Sequence, residues 1–489
     1  MNATLSKYVN EERLRWSLIL ITAFSWVIFP LLIVLLNPAL FKIGFAVSAL
    51  VVIISVAIAL PKNQLALQPL HKMILVCWVG YLLALLLATL ESGSTYSLTH
   101  WSIYFAKFLF LLFLLFYINE KYIVATFRIY ANLMVLTVIL AVFAVFVAAI
   151  DIQPLAIIDI QGTLTNFYFG SYYTPHYSPL CAPLPIYRIQ GLSEEPGAYA
   201  FELLPAFFWL LIAERAYVRS AVIALGLVLT MSFGVASFLF VLLLLLLIAR
   251  KHSNNYIVPA SFLIVSGSIG LMYAISSSCQ TSHLQNLLVT SQSEVAVVKS
   301  RSEDSAVVKP QSKDDAATLS VLEECKKNHP ASECIDTFQY YVASTAYGKL
   351  HSLKDRFDGL SIALSQLINH PIGTGAALGM PKVNAIAAAA GASAAGVGYA
   401  VPVLESGIVG GLLYLCLFSI MGWLAIKTVT SSSFGSFDER VEVVVALSVC
   451  AVLAMGAQRI QPDVTLWHMW IYAMLFYLLQ KKHSARAAC

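Results

Sequence analysis

Apolar residues run through this chain in long blocks separated by short polar stretches. Twelve blocks stand out, at about residues 16–36, 43–60, 73–90, 102–118, 129–150, 198–213, 220–233, 235–249, 256–275, 403–426, 441–457 and 463–480. Most of them match or approach the roughly 20 residues a helix needs to cross a bilayer. The pattern therefore predicts an all-α polytopic membrane protein with about 12 transmembrane helices. No small-residue cleavage site follows the first block, Trp16–Leu36, so it is expected to remain as the first span. Composition agrees: 59% of the residues are hydrophobic and 11% charged, where a soluble chain has about 25% charged.

Basic residues assign sides to these blocks. With the N-terminus inside, the inner segments carry Lys7, Arg13, Arg15, Lys62, Lys72, Lys121, Arg128, Arg215, Arg219, Arg250, Lys251, Lys427, Arg440, Lys481, Lys482 and Arg486. The short outer loops carry Lys42 and Arg459, and the loop 151–197 carries Arg188. This asymmetry follows the positive-inside rule and puts both termini in the cytoplasm. Residues 220–249 hold no charge, yet Arg219 precedes them and Arg250–Lys251 follow, so both ends favour the inner side. A hairpin of two short helices turning at Ser232–Gly234 satisfies that, and one long span does not.

The chain then divides into helices 1–5 (1–150), an outer loop (151–197), helices 6–9 (198–275), a large outer loop (276–402), and helices 10–12 with a cytoplasmic tail (403–489). In the large loop, a ten-residue near-repeat rich in Ser, Lys and Asp (296–315) predicts a disordered insert over about 290–318. Further on, 351–371 places Leu353, Phe357, Leu360, Ile362, Leu364, Leu367 and Ile368 at mostly helical spacing before Pro371. It reads as an amphipathic helix lying on the membrane face. Cys181, Cys279, Cys325 and Cys334 fall on the outer side, an even set that suggests disulfides, with Cys325–Cys334 the favoured pair.

Candidate chemistry concentrates in "YRIQGLSEEPGAY" (187–199), where the chain returns to lipid. Arg188 reads either as an interfacial cation paired with Glu194 or Glu195, or as an anion ligand, since a guanidinium forks onto phosphate oxygens and stays charged. Pro196 suits the first turn of the sixth helix, and an acidic residue before it suits that helix's N-terminus. Arg356 and Arg459 are two further outer arginines, so three guanidinium groups from distant segments are candidates to meet on one diphosphate.

These segments resemble a known family. Arg188–Ala200 is similar to the arginine and Glu-Pro signature of Wzy-type O-antigen and capsule polymerases. The segment 356–379 resembles one shared by O-antigen polymerases and ligases, with Ala363, His370, Pro371, Gly373 and Gly375 matching and Leu360 in place of the usual aromatic. The stretch 399–414 resembles the helix that follows, through Tyr399, Glu405, Gly407 and Gly410, and 230–240 resembles the family's hairpin. Ligases carry a histidine nine residues before the aligned glutamate; here Gly396 occupies that place, which favours a polymerase.

The resemblance implies an inner-membrane glycosyltransferase whose active site faces the periplasm. It would extend undecaprenyl-diphosphate-linked repeats into O-antigen or capsular polysaccharide. The implied catalytic residues are Arg188 and Arg356 on the diphosphate, with Glu195 or Glu194 as base. The implied substrate-binding residues are Arg459, Tyr187, Tyr173, His370, Tyr399 and Glu405. Phe167, Tyr168, Tyr172 and Tyr177 are further candidates to stack on sugar rings, or else ordinary interfacial aromatics. No acidic cluster suits Mg²⁺ on the outer side, so the enzyme is expected to work without metal or other cofactor. Expected partners are the lipid-linked glycan, membrane lipid and a chain-length regulator protein, with no nucleic acid. The alternatives are a ligase transferring glycan to lipid A–core and a lipid-linked oligosaccharide flippase.

Overall fold

A computed structural model describes residues 69–118, 120–150, 152–160, 163–168, 171–173, 188–193, 195–248, 259, 261–267, 360–389, 398–432, 435–456 and 466–488. The first two apolar blocks, the insert 290–318 and the four outer cysteines lie outside the described residues. The described residues are mostly helical. In order come α1 (Pro69–Ser92), α2 (Thr95–Tyr117), α3 (Glu120–Ala149), α4 (Pro196–Phe208), α5 (Tyr217–Leu229) and α6 (Phe233–Ile248). After them come α7 (Leu360–Asn369), α8 (Gly379–Ala389), α9 (Ala400–Ser431), α10 (Phe437–Gly456) and α11 (Leu466–Ala488). Four stretches are long and apolar enough to cross a membrane: Lys72–Ser92, Glu120–Ala148, Pro196–Ala213 and Ala400–Ser431.

One expectation needs correcting. The loop after α3 contains a three-stranded antiparallel sheet, β1 (Ala156–Ile160), β2 (Thr163–Tyr168) and β3 (Ser171–Tyr173), so the chain is not all-α. Asn166 pairs with Tyr173, and Ala156 pairs with Phe167. Aromatic and β-branched residues suit a half-buried pleated surface. Phe167, Tyr168 and Tyr172 are accordingly buried, Tyr168 against Ala144 and Val147 of α3, instead of offering an open platform.

Helix α10 is the hub. It touches α4, α6, α9 and α11, and Val441, Val443, Val444, Val445, Leu447, Val449 and Val452 are all buried. A helix apolar on every side belongs in the middle of a bundle. Its start is fixed by a capping box: Ser436 Oγ accepts from Glu439 N at 3.1 Å, while Glu439 Oε2 accepts from Ser436 N at 3.3 Å. Helix α4 is almost as enclosed, and it continues past Pro205 into a π turn at Trp209–Ala213. The indole of Trp209 stacks on Phe127 of α3 at 5.1 Å.

Apolar solvent does not drive apolar helices together, so close packing must do so. Small residues serve that purpose here. A Cβ on Gly410 of α9 would lie 2.9 Å from Ala84 of α1, and one on Gly226 of α5 would lie 2.7 Å from Val138 of α3. The α5–α6 break falls at Thr230–Ser232, slightly before the expected turn, and both helices rest on α4 without packing along one another.

Ion pairs gather at one end of the bundle. Glu214 accepts from Arg128 Nε (2.9 Å) and Arg219 Nη2 (2.7 Å), joining α3, the end of α4 and α5. Lys481 of α11 pairs with Glu120 of α3 and Asp438 of α10. The opposite end holds Arg188, Glu195, His370, Tyr399 and Glu405, at the starts of α4 and α9 and the ends of α1, α5 and α10.

Helix α9 is interrupted at Gly407, with φ 73° and ψ −170°. The Pro371–Gly375 loop lies in the gap. Thr374 N donates to Leu404 O (3.0 Å), Gly375 N to Glu405 O (3.0 Å), and Ile408 N to Pro371 O (2.9 Å). A Cβ on Gly407 would sit 2.3 Å from the Ile372 carbonyl carbon. Gly407→Ala should therefore lower stability by about 2–3 kcal/mol, through a left-handed backbone and a backbone clash. Gly422→Ala, whose Cβ would meet only the tip of Leu453 at 3.2 Å, should stay within about 0.5 kcal/mol. Melting of the two variants in detergent distinguishes these outcomes.

Candidate functional site

The last four carbonyls of a helix have no partner within it and carry partial negative charge. The end of α5 meets this need with the 188–193 segment. Ile189 N donates to Leu229 O (3.2 Å), Arg188 Nε to Thr230 O (2.8 Å), and Arg188 Nη2 to Met231 O (3.4 Å). Met231 has φ 47°, a left-handed conformation that a side chain rarely adopts, and it turns the chain sharply. One residue later Ser232 Oγ accepts from Val235 N at 3.4 Å and starts α6.

Glu195 is the residue that precedes α4. Its backbone is extended, and Pro196 follows at the first helical position, where a missing N–H costs nothing. Gly197 ties this start to the α5–α6 turn. A Cβ there would lie 3.4 Å from Glu195 Oε1 and 3.9 Å from Ser232 Oγ, so carboxylate and hydroxyl border the same point. Two helix N-termini, those of α4 and α6, and the Arg188 guanidinium are thus grouped around Thr230–Ser232. Helix N-termini and guanidinium groups both favour negatively charged ligands, and Glu195 adds one proton acceptor.

The sheet holds this segment from the other side. Gly191 O accepts from Tyr172 N (2.6 Å) and Ser171 Oγ (3.1 Å). Burial pushes the Tyr172 phenol up to about 12. Gly191 has φ 61°, and a Cβ on it would lie 2.3 Å from the ring of Tyr199.

The second group of expected residues lies at the break in α9. Glu405 is buried at 1% exposure, and Gly379 of α8 sits against it: a Cβ there would be 3.4 Å from Glu405 Oε1. His370 Nε2 and Lys382 Nζ are in contact. Tyr399 uses its hydroxyl to hold the end of α10, donating to Leu453 O at 2.9 Å, and its ring packs on Tyr414 and Phe418.

Of the expected site residues, Arg188 and Glu195 flank the same turn, while His370, Tyr399 and Glu405 belong to the α9 start. Tyr173 lies in β3. Arg356, Arg459, Glu194 and Tyr187 lie outside the described residues. Among the described residues, no group of three or more His, Cys, Asp or Glu side chains could hold a metal. Sequence reading missed Ser232, Gly197 and Lys382. Ser232 falls in the hairpin turn and Gly197 inside the 187–199 motif, but the linear pattern gives neither a role, and nothing in it marks Lys382. No family model matches the chain, and no curated protein is similar enough to align with it.

Gly191→Ala should loosen the site by about 2 kcal/mol, combining positive φ with the overlap on Tyr199. The expected result is a lower melting midpoint in detergent, whereas Gly93→Ala, with φ 63° but nothing within 4 Å, should cost less.

Proposed function

We propose that the protein is a polysaccharide polymerase of the Wzy type. On this reading it joins undecaprenyl-diphosphate-linked repeat units into O-antigen or capsular polysaccharide at the periplasmic face of the bacterial inner membrane, with both termini in the cytoplasm. The observation that carries this reading is the grouping of Arg188 and Glu195 around paired helix N-termini, at the end of the bundle opposite the basic cluster. That is the environment a lipid diphosphate requires, with its chain along the helices and its sugars beyond them.

In the proposed reaction, a hydroxyl oxygen of the acceptor repeat bonds to the anomeric carbon of the growing glycan. The bond from that carbon to the diphosphate oxygen breaks, the diphosphate leaves with the electron pair, and the hydroxyl proton passes to a carboxylate. Arg188 is tethered to two carbonyl oxygens, so its charge is held in one orientation, and on this reading it faces the leaving group as negative charge gathers there. Preorganised charge of this kind is commonly the largest single contribution to catalysis. Arg356 and Arg459 are the proposed companions on the diphosphate, and Glu195 or Glu194 is the proposed base, which makes the mechanism independent of metal. The docking of the His370–Gly375 loop onto Glu405–Gly407 supports the same reading, because the two motifs that carry the resemblance meet in space.

A ligase shares this site and differs in its acceptor. Purified protein supplied with lipid-linked repeats and no lipid A–core should extend chains. Arg188→Ala should reduce that extension by about 10²–10³-fold, as for loss of one positioned donor, while protein level and single-repeat glycolipid remain normal. Unchanged long-chain product in this variant would discard the proposal, and product formed only on lipid A–core would identify a ligase.

A further inference from the structure

Beneath the Arg188 segment lies a buried polar layer that the proposed reaction leaves unused. Glu202 sits in α4 at 7% exposure, about two turns into the helix that Glu195 precedes. A carboxylate inside an apolar helix is costly and needs partners. Ser193 Oγ donates to Glu202 Oε1 at 2.6 Å. Ser193 in turn closes a tight turn: its N donates to Gln190 O (3.2 Å), and its O accepts from Gln190 Nε2 (2.9 Å). The helix around Glu202 is itself immobilised. Tyr130 of α3 donates to Glu202 O at 2.7 Å, and Tyr199 hydrogen-bonds Thr137 of α3 at 2.9 Å.

We infer that Glu202 is a positioning residue for the 188–195 segment, acting through Ser193. The segment has little regular structure of its own between the sheet and α4, and its bonds to α5 are at its Arg188 end. The Ser193–Glu202 bond fastens its other end to the bundle, five residues from Arg188 and two from Glu195. Charge-assisted bonds of this type are short and about twice as strong as neutral ones. The carboxylate thereby sets where the cation and the proton acceptor stand, without touching substrate.

The test has one readout independent of activity. Hydrogen exchange on the full-length protein in detergent should show at least tenfold faster exchange across 188–195 in Glu202→Leu and in Ser193→Ala, with the rest of α4 unchanged. Glu202→Gln, whose amide oxygen still accepts from Ser193, should stay within about threefold of wild type. The effect on chain extension rests on the polymerase reading: Glu202→Leu and Ser193→Ala should each lose at least tenfold, and the double variant should be no worse than Glu202→Leu alone. If Glu202→Leu does not insert, Ser193→Ala carries both measurements. Unchanged exchange at 188–195 overturns the inference, and so does faster exchange along the whole of α4. Normal polymer in variants with a loosened segment overturns it too, provided Arg188→Ala abolishes polymer; if Arg188→Ala leaves polymer intact, the polymerase reading fails and the exchange result alone decides the positioning role.

Discussion

Backbone polar groups that leave a helix inside an apolar bundle have no water to turn to, and leaving one unmatched costs on the order of kilocalories. Two irregular places among the described residues are both answers to that constraint. Where α5 ends, a backbone N–H covers the Leu229 carbonyl and a guanidinium covers the two carbonyls that follow. Where α9 breaks at Gly407, the Pro371–Gly375 loop supplies donors to Leu404 and Glu405 and an acceptor to Ile408. Both breaks are closed by segments distant in sequence. The candidate chemistry sits at these same places, because an interrupted helix is where charged ends of peptide dipoles become available to a ligand.

The fixed orientation of Arg188 follows from this. Its side chain stabilises a helix end and, by the same two bonds, acquires a fixed direction. An arginine free to roam would lose more entropy on meeting a ligand. The buried carboxylate of Glu202 does for the far end of the segment what the α5 carbonyls do for the near end. The sheet adds a third tether through Gly191. A short polar segment is held at three points, which is what a site built on a loop needs to be accurate to fractions of an ångström.

Much of the helical framework was legible in the linear pattern. The apolar blocks from residue 73 onward coincide with α1 to α6 and α9 to α11 wherever the chain is described, and Pro196 and Pro371 mark a helix start and a helix end as expected. The sheet was not legible. Its strands are at most six residues long, and the aromatics of β2 and β3 fit an interfacial loop or a surface for sugars equally well. Glu195 and Arg188 were singled out correctly as neighbours of one helix start, but the carbonyls that Arg188 binds lie more than 40 residues away and left no trace in its local sequence. The hydrogen bond by which the Tyr399 hydroxyl secures α10 spans more than 50 residues and is equally invisible in the local sequence.

Periodicity and the punctuation of proline and glycine are local quantities, so residue order was enough to reveal a mostly helical chain with stretches long and apolar enough to cross a membrane, and about where its helices lie. Which backbone gap is closed by which segment is a matter of distance in space. The pairing of Arg188 with the end of α5, of His370–Gly375 with the break in α9, and of Ser193 with Glu202 came from the folded chain alone. Hydrogen bonds act over about 3 Å, and no reading of neighbours along a strand of letters can say which groups the fold will bring that close.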